Sequence, residues 1–144
     1  MSITQTRRQI NAPVADIFDL LATPARHNEI DGSGTVAGVL GGTPQRLTQG
    51  ATFGMRMHWG VGYKIRNEVV EFDEPTRIAW RHFGGHVWRY LLDPVDQTTT
   101  MVTEQFDDTP SRSPLVLKLI NARRRNLRSM ERTLERLDEW AIHR

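Results

Sequence analysis

Chemistry in this sequence concentrates in one carboxylate and one imidazole set among aromatic side chains. Between Thr98 and Asp107, alternation puts Val102, Glu104 and Phe106 on one face of a strand. A carboxylate in such company needs a partner or a proton. Buried among rings its pKa rises, and it becomes a general acid or base able to move a proton next to a carbonyl. Paired instead with an arginine of the C-terminal segment, it is a structural ion. Both readings stay open. His82 shares a face with Ile78 and Trp80 near a hairpin end, where an imidazole can exchange protons near neutral pH or simply sit solvated at a rim. Glu104 and His82 are therefore the candidate catalytic residues. Tyr63 and Tyr90 add phenols that can orient a carbonyl or hydroxyl by hydrogen bonding.

Around them, Phe53, Trp59, Trp80, Trp88, Tyr90 and Phe106 can form an apolar wall of flat rings suited to stacking on an aromatic or polycyclic ligand. Rings of this size also fill ordinary cores, so it is their number on one side of the strands that carries weight. The chain has no cysteine, which removes disulfides, thiolate nucleophiles and cysteine metal sites. His58 falls opposite the apolar side of its strand, His27 and His86 sit by turns and His143 is terminal. No pair of these has metal-ligand spacing on a shared face, and neither a metal nor another cofactor is expected. Ser33, in Asp31-Gly32-Ser33-Gly34, lacks the strand-turn-helix setting and partner histidine of an acyl-transfer nucleophile, and reads as turn chemistry with Asp31. Arg124, Arg128 and Arg132 repeat every four residues, with Glu131, Glu135, Asp138 and Glu139 interleaved or following. That mixture reads as a solvated helix face rather than a nucleic-acid surface. Arg123 differs, because it lies near the Ile120 to Leu127 stripe and can project toward Glu104, which makes it a candidate pocket residue.

These side chains need a sheet to present them. Ile3 to Ile10 reads as a strand ending at Asn11-Ala12-Pro13, where Asn11 can cap a helix and Pro13 can occupy its first turn. Val14, Ile17, Phe18 and Leu21 then mark one helical face. A short second helix over Ala25 to Ile30 ends at the glycines after Asp31. Strands follow over Thr35 to Leu40, Ala51 to Trp59, Tyr63 to Asp73, Arg77 to Phe83, His86 to Leu92 and Thr98 to Asp107. Gly60-Val61-Gly62 is a hairpin, and the adjacent Val69 and Val70 predict a bulge or burial on both faces. Hairpins in succession make an antiparallel meander. Pro114 opens a helix running to about residue 142, with Val116, Ile120, Leu127, Met130, Leu134, Leu137 and Ala141 in one stripe. At 1.5 Å per residue it spans roughly 40 Å, too long to pair with the first helix alone, so its stripe must cross the sheet.

At 144 residues, 38% of them hydrophobic, the chain is expected to be one folded domain over 1–144. It has no long apolar run and none after Arg7-Arg8. Neither a membrane span nor a signal peptide is expected, and the expected location is cytoplasmic.

The order of elements resembles the START-like, helix-grip (SRPBCC) superfamily, an α+β fold in which a curved antiparallel sheet wraps a long C-terminal helix, with two short helices after the first strand. Asn11-Ala12-Pro13, Pro24 and Ile30-Asp31-Gly32-Ser33-Gly34 are similar to the polyketide cyclase/dehydrase-like branch of bacterial proteins. So are the segments from Asn67 to Trp80, Trp88 to Leu92 and Thr100 to Asp107. The resemblance covers essentially the whole chain and rests on turns and strand positions, which specify fold better than chemistry. It implies a cavity between sheet and helix. Ring-hydroxylating oxygenase subunits of that superfamily are set aside for want of a suitable His/Asp ligand set. The leading expectation is binding of a small hydrophobic or aromatic, lipid- or polyketide-like molecule. The alternatives are a cyclase or dehydratase working through Glu104 or His82, and a protein-interaction module, which would expose an apolar patch and hold no sizeable cavity.

Overall fold

The computed structural model describes residues 3–82, 84–109 and 122–144. β1 (Ile3–Ile10) runs into α1 (Val14–Leu21), which buries Ile17, Phe18, Leu20 and Leu21. No side chain caps α1, contrary to the role expected of Asn11. Pro13 is extended and forms the N-cap itself, its carbonyl accepting from the Asp16 and Ile17 amides, and Asp16 offsets the positive end of the helix. A 3-10 turn over Pro24–Arg26 leads into α2 (His27–Ile30).

Six strands then follow as a meander: β2 (Val36–Val39), β3 (Thr52–Trp59), β4 (Val61–Asp73), β5 (Arg77–His82), β6 (Val87–Asp96) and β7 (Thr99–Asp107). The sheet is antiparallel and curved, in the order β1-β7-β6-β5-β4-β3-β2, so the first strand closes onto the last. α3 (Ala122–His143) packs against β1 and β7 and touches α2. The part of this helix expected from Pro114 onward, with Val116 and Ile120, lies outside the described residues. Along α3, Met130, Leu134, Leu137 and Ala141 are buried, and the last three meet α1 and the sheet in one core with Ile10, Phe53, Val69, Ile78, Leu92 and Val102. Among the described residues no helix is long and apolar enough to cross a membrane.

Two elements depart from the expected boundaries, and the irregularity expected at Val69-Val70 is present as a bulge. The β3–β4 reversal is confined to Gly60, whose φ of 74° lies in the left-handed region that glycine adopts without strain, so β4 starts at Val61. The register of β4 on β5 slips between Val69 and Glu71, which makes Val70 the bulge residue and re-aims the strand beyond it. β6 continues past Leu92 to Asp96 despite Pro94. β5 pairs with β6 only as far as Leu91, so no neighbour on that side requires the missing Pro94 amide.

The two faces of the sheet differ in kind. On the convex face, one cross-strand row holds Glu71, Ala79, Arg89, Gln105 and Gln5. Ala79 is small enough for Arg89 to reach over it, donating to both Glu71 carboxylate oxygens at 2.7 to 3.0 Å and to Gln105 at 3.0 Å. Arg89 holds the Glu71 carboxyl below its ordinary pKa. The concave face carries the rings.

Candidate functional site

Register brings the concave-face residues together in rows. Trp80 pairs with Trp88 and Trp88 with Phe106. Ile78 pairs with Tyr90 and Tyr90 with Glu104. Directly opposed side chains on one face lie within contact distance, so alternation on three strands becomes a continuous patch. The patch holds two ring clusters. In one, Trp80 stacks on His27 at 5.1 Å and meets Phe53 edge-on at 5.5 Å and Tyr90 at 5.8 Å. In the other, Phe106 lies 4.9 Å from Trp88 and 5.2 Å from His86, which stacks on His82 at 4.5 Å.

Between these rings, α2 and α3 is a cavity of about 520 Å³. Phe53, Trp80, Trp88, Tyr90, Phe106, Glu104 and His82 all line it, as does Tyr63, which is 40% exposed and stands at the rim. Trp59 ends β3, and its side chain lies outside the described residues. Arg123 does not line the cavity. It could have projected toward Glu104, but its Nε donates instead to Asp108, buried just beyond β7, at 2.8 Å. An arginine in the first turn of α3 meets that carboxylate, just past the end of β7, before it can reach one deep in the concave face.

Glu104 therefore has no arginine among the described residues. Its side chain is buried, Oε1 has no hydrogen-bond partner among the described residues, and its pKa is pushed up to about 8, first by desolvation and then by the Asp31 charge, against a lowering hydrogen bond from Tyr90. The carboxyl is thus mostly protonated at neutral pH and can donate. Burial likewise pushes the Tyr90 phenol well above its ordinary value, and the neighbouring Glu104 adds to this. His82 and His86 are both lowered to about 4, chiefly by burial, and are neutral at physiological pH. Gly84 N donates to His82 Nδ1, while His86 Nδ1 is buried with no hydrogen-bond partner among the described residues.

Several cavity residues carried no signal along the chain. His27 looked like a turn residue, yet the short α2 aims it at Trp80. Its Nε2 donates to Leu21 O at 2.7 Å and burial lowers its pKa. Asn67, buried opposite Phe53, adds an amide, and its place on the inner side of β4 could have been found from the Val70 bulge. Asp31 anchors its own loop, accepting from Ser33 N, Ser33 Oγ and Val36 N. The turn role expected for Asp31 and Ser33 is the one observed. Among the described residues no group of three metal-ligating side chains converges.

A curved seven-stranded sheet gripping a terminal helix over an aromatic cavity defines a START-like, helix-grip protein. The chain belongs to the polyketide cyclase/dehydrase and lipid transport family, whose sequence profile matches residues 1–139. It is 38% identical over 100 residues to the uncharacterized protein Rv0088 of Mycobacterium tuberculosis, a match covering 69% of this chain and 44% of that protein. The chain thus spans less than half the length of the curated relatives it matches. Its fold is similar to that of protein Ms6760 from Mycobacterium smegmatis, with a TM-score of 0.72 at 15% identity over 98% of this chain and 91% of that one. It is also similar to the polyketide cyclase-like protein Cgl2372 from Corynebacterium glutamicum, with a TM-score of 0.60 at 18% identity over 94% and 88%. At such identities these structures speak to fold alone.

Proposed function

We propose that this protein binds a small, largely apolar molecule with aromatic or polycyclic character in the cavity between the sheet and α3. The observation that carries this reading is the cavity itself. Its 520 Å³ lies within the size range of small-molecule sites, and its walls are rings with a few polar groups set among them. A core residue of ordinary kind would close this space, since voids of that size forfeit packing on every side. The volume also favours a small molecule over a flat docking face for another protein. Neutral polycyclic aromatics and long-chain alcohols, titrated while following tryptophan emission, test the reading. Saturable quenching that is weakened by Met57→Trp, which adds an indole at the cavity wall, supports it, and unchanged emission with every compound refutes it.

A second reading, proton transfer on the bound molecule, draws on Glu104. A carboxyl with a pKa of about 8 beside an aromatic wall suits a general acid or base in an aldol closure and dehydration. Tyr90 would orient it. Under this reading Glu104→Gln keeps ligand affinity and abolishes turnover of a polyketide-like substrate. A variant that retains turnover excludes Glu104 as the catalyst.

A further inference from the structure

Beside the cavity lies a second depression of about 390 Å³, walled by Arg124, Arg125, Arg128 and Arg132. The Gly32–Ser33 turn and Ser129 complete it, and Ser33, Arg125 and Ser129 line both spaces, so the two adjoin. Among the described residues no carboxylate lines the depression. Nearby arginines are engaged elsewhere, Arg123 with Asp108 and Arg136 with the Asp31 carbonyl at 2.6 Å. Arg124, Arg128 and Arg132 make no ion pair or hydrogen bond among the described residues, and Asp31, the nearest acid on the turn, is occupied by its own loop.

The floor of the depression is held in place. Gly32 N donates to Thr133 Oγ1 at 2.8 Å, and Gly32 lies so close to α3 that a Cβ there would meet Ser129 O at 2.2 Å. Along α3, residues four apart rise by about 6 Å, so the three guanidinium groups form a ladder on one side of the opening. Guanidinium forks bind the oxygens of carboxylates, sulfonates and phosphates with paired, charge-assisted hydrogen bonds.

We propose that the ligand is an amphipathic anion, its apolar body in the aromatic cavity and its anionic head on Arg124, Arg128 and Arg132 at the mouth. The proposal rests on the cavity reading above and names the class of molecule that reading leaves open. The charge pattern follows the same division. Burial in the ring-lined interior keeps Glu104 protonated and its histidines neutral, while the ladder of Arg124, Arg128 and Arg132 stands outside it at the opening. Because the arginines are exposed, their hold on the head is screened by salt within about 10 Å at 0.1 M.

Two fluorescent dyes with one ring system separate the terms: anilinonaphthalene sulfonate, and phenylnaphthylamine, which lacks the sulfonate. The sulfonate dye should bind about tenfold tighter at low salt, with the advantage shrinking as salt is raised. In the exposed-face variant Arg124→Gln/Arg128→Gln/Arg132→Gln the two dyes should bind equally, with the neutral dye unaffected. Met57→Trp, which narrows the cavity at its wall, should weaken both. Equal binding to the unmodified protein overturns the proposal and leaves the cavity reading standing, as does a preference that survives the triple variant. Sulfonate binding as tight in Met57→Trp as in the unmodified protein, with the neutral dye weakened, is a surface salt contact and also overturns it. If neither dye binds, the cavity reading fails and the proposal with it.

Discussion

Replacing Glu104 by glutamine removes a charge that the fold resists and keeps the shape of the side chain. The carboxyl has a pKa of about 8 in the fold against 4.5 in the unfolded chain. The folded state therefore holds its proton longer. The stability this group allows is fully present below 4.5 and is lost as pH rises through 8. Between about pH 5 and pH 8 that loss amounts to about 3 kcal/mol, at about 1.4 kcal/mol per unit of displaced titration. Glu104→Gln does not titrate, and its amide oxygen can accept from Tyr90 as the carboxyl does. Any constant penalty for the extra amide N–H cancels when the two proteins are compared across pH. The contributions of His27, His82 and His86 cancel in the same comparison. Thermal unfolding should show the variant gaining on the parent by roughly 10 °C over that interval for a chain of this size. Parallel melting curves at all pH values would refute the reasoning, because they would mean that Glu104 titrates alike in both states and is not an isolated buried carboxyl.

Burial holds His82 and His86 at about 4, below their ordinary 6.5. The unfolded chain binds these protons first, so stability should fall as pH drops from 6.5 toward 4. Urea titrations of His82→Gln/His86→Gln should lose much of that acid limb. Gly32→Ala would place a Cβ 2.2 Å from Ser129 O and 2.3 Å from Thr133 N, both backbone atoms that cannot swing aside. The loop must then lift from α3, at a cost of about 1–3 kcal/mol by chemical denaturation. Thr133→Val preserves shape but strands the buried Gly32 amide, for a loss of about 1–3 kcal/mol in the same assay.

Much of the sheet was legible along the chain because alternation is local. Trp80, Trp88 and Phe106 fell on one face by counting twos, and cross-strand register then placed them side by side. Val69 and Val70 announced the irregularity of β4, and the bulge resolves the inward face of that strand in favour of Asn67 and Val69, both buried. Glu104 was legible as a residue, and its partner was not, since whether an arginine reaches it depends on where Asp108 lies. His27 was missed because a four-residue helix has too little periodicity to show a face, and what it touches is set by β3 and β5. The arginine ladder was read as a solvated face. Its side chains are indeed exposed, but the turn that closes the depression comes from about a hundred residues earlier, and only the tertiary fold brings Gly32 onto α3.

The central claim is that an apolar cavity surrounds a protonated carboxyl and receives a ligand beside it. Carbon NMR of the Glu104 carboxyl, titrated in pH with and without bound phenylnaphthylamine, tests this directly. The account predicts a midpoint near 8 in the free protein and a higher one when the dye replaces whatever solvent the cavity holds. A midpoint near 4.5 that the dye does not move would contradict it.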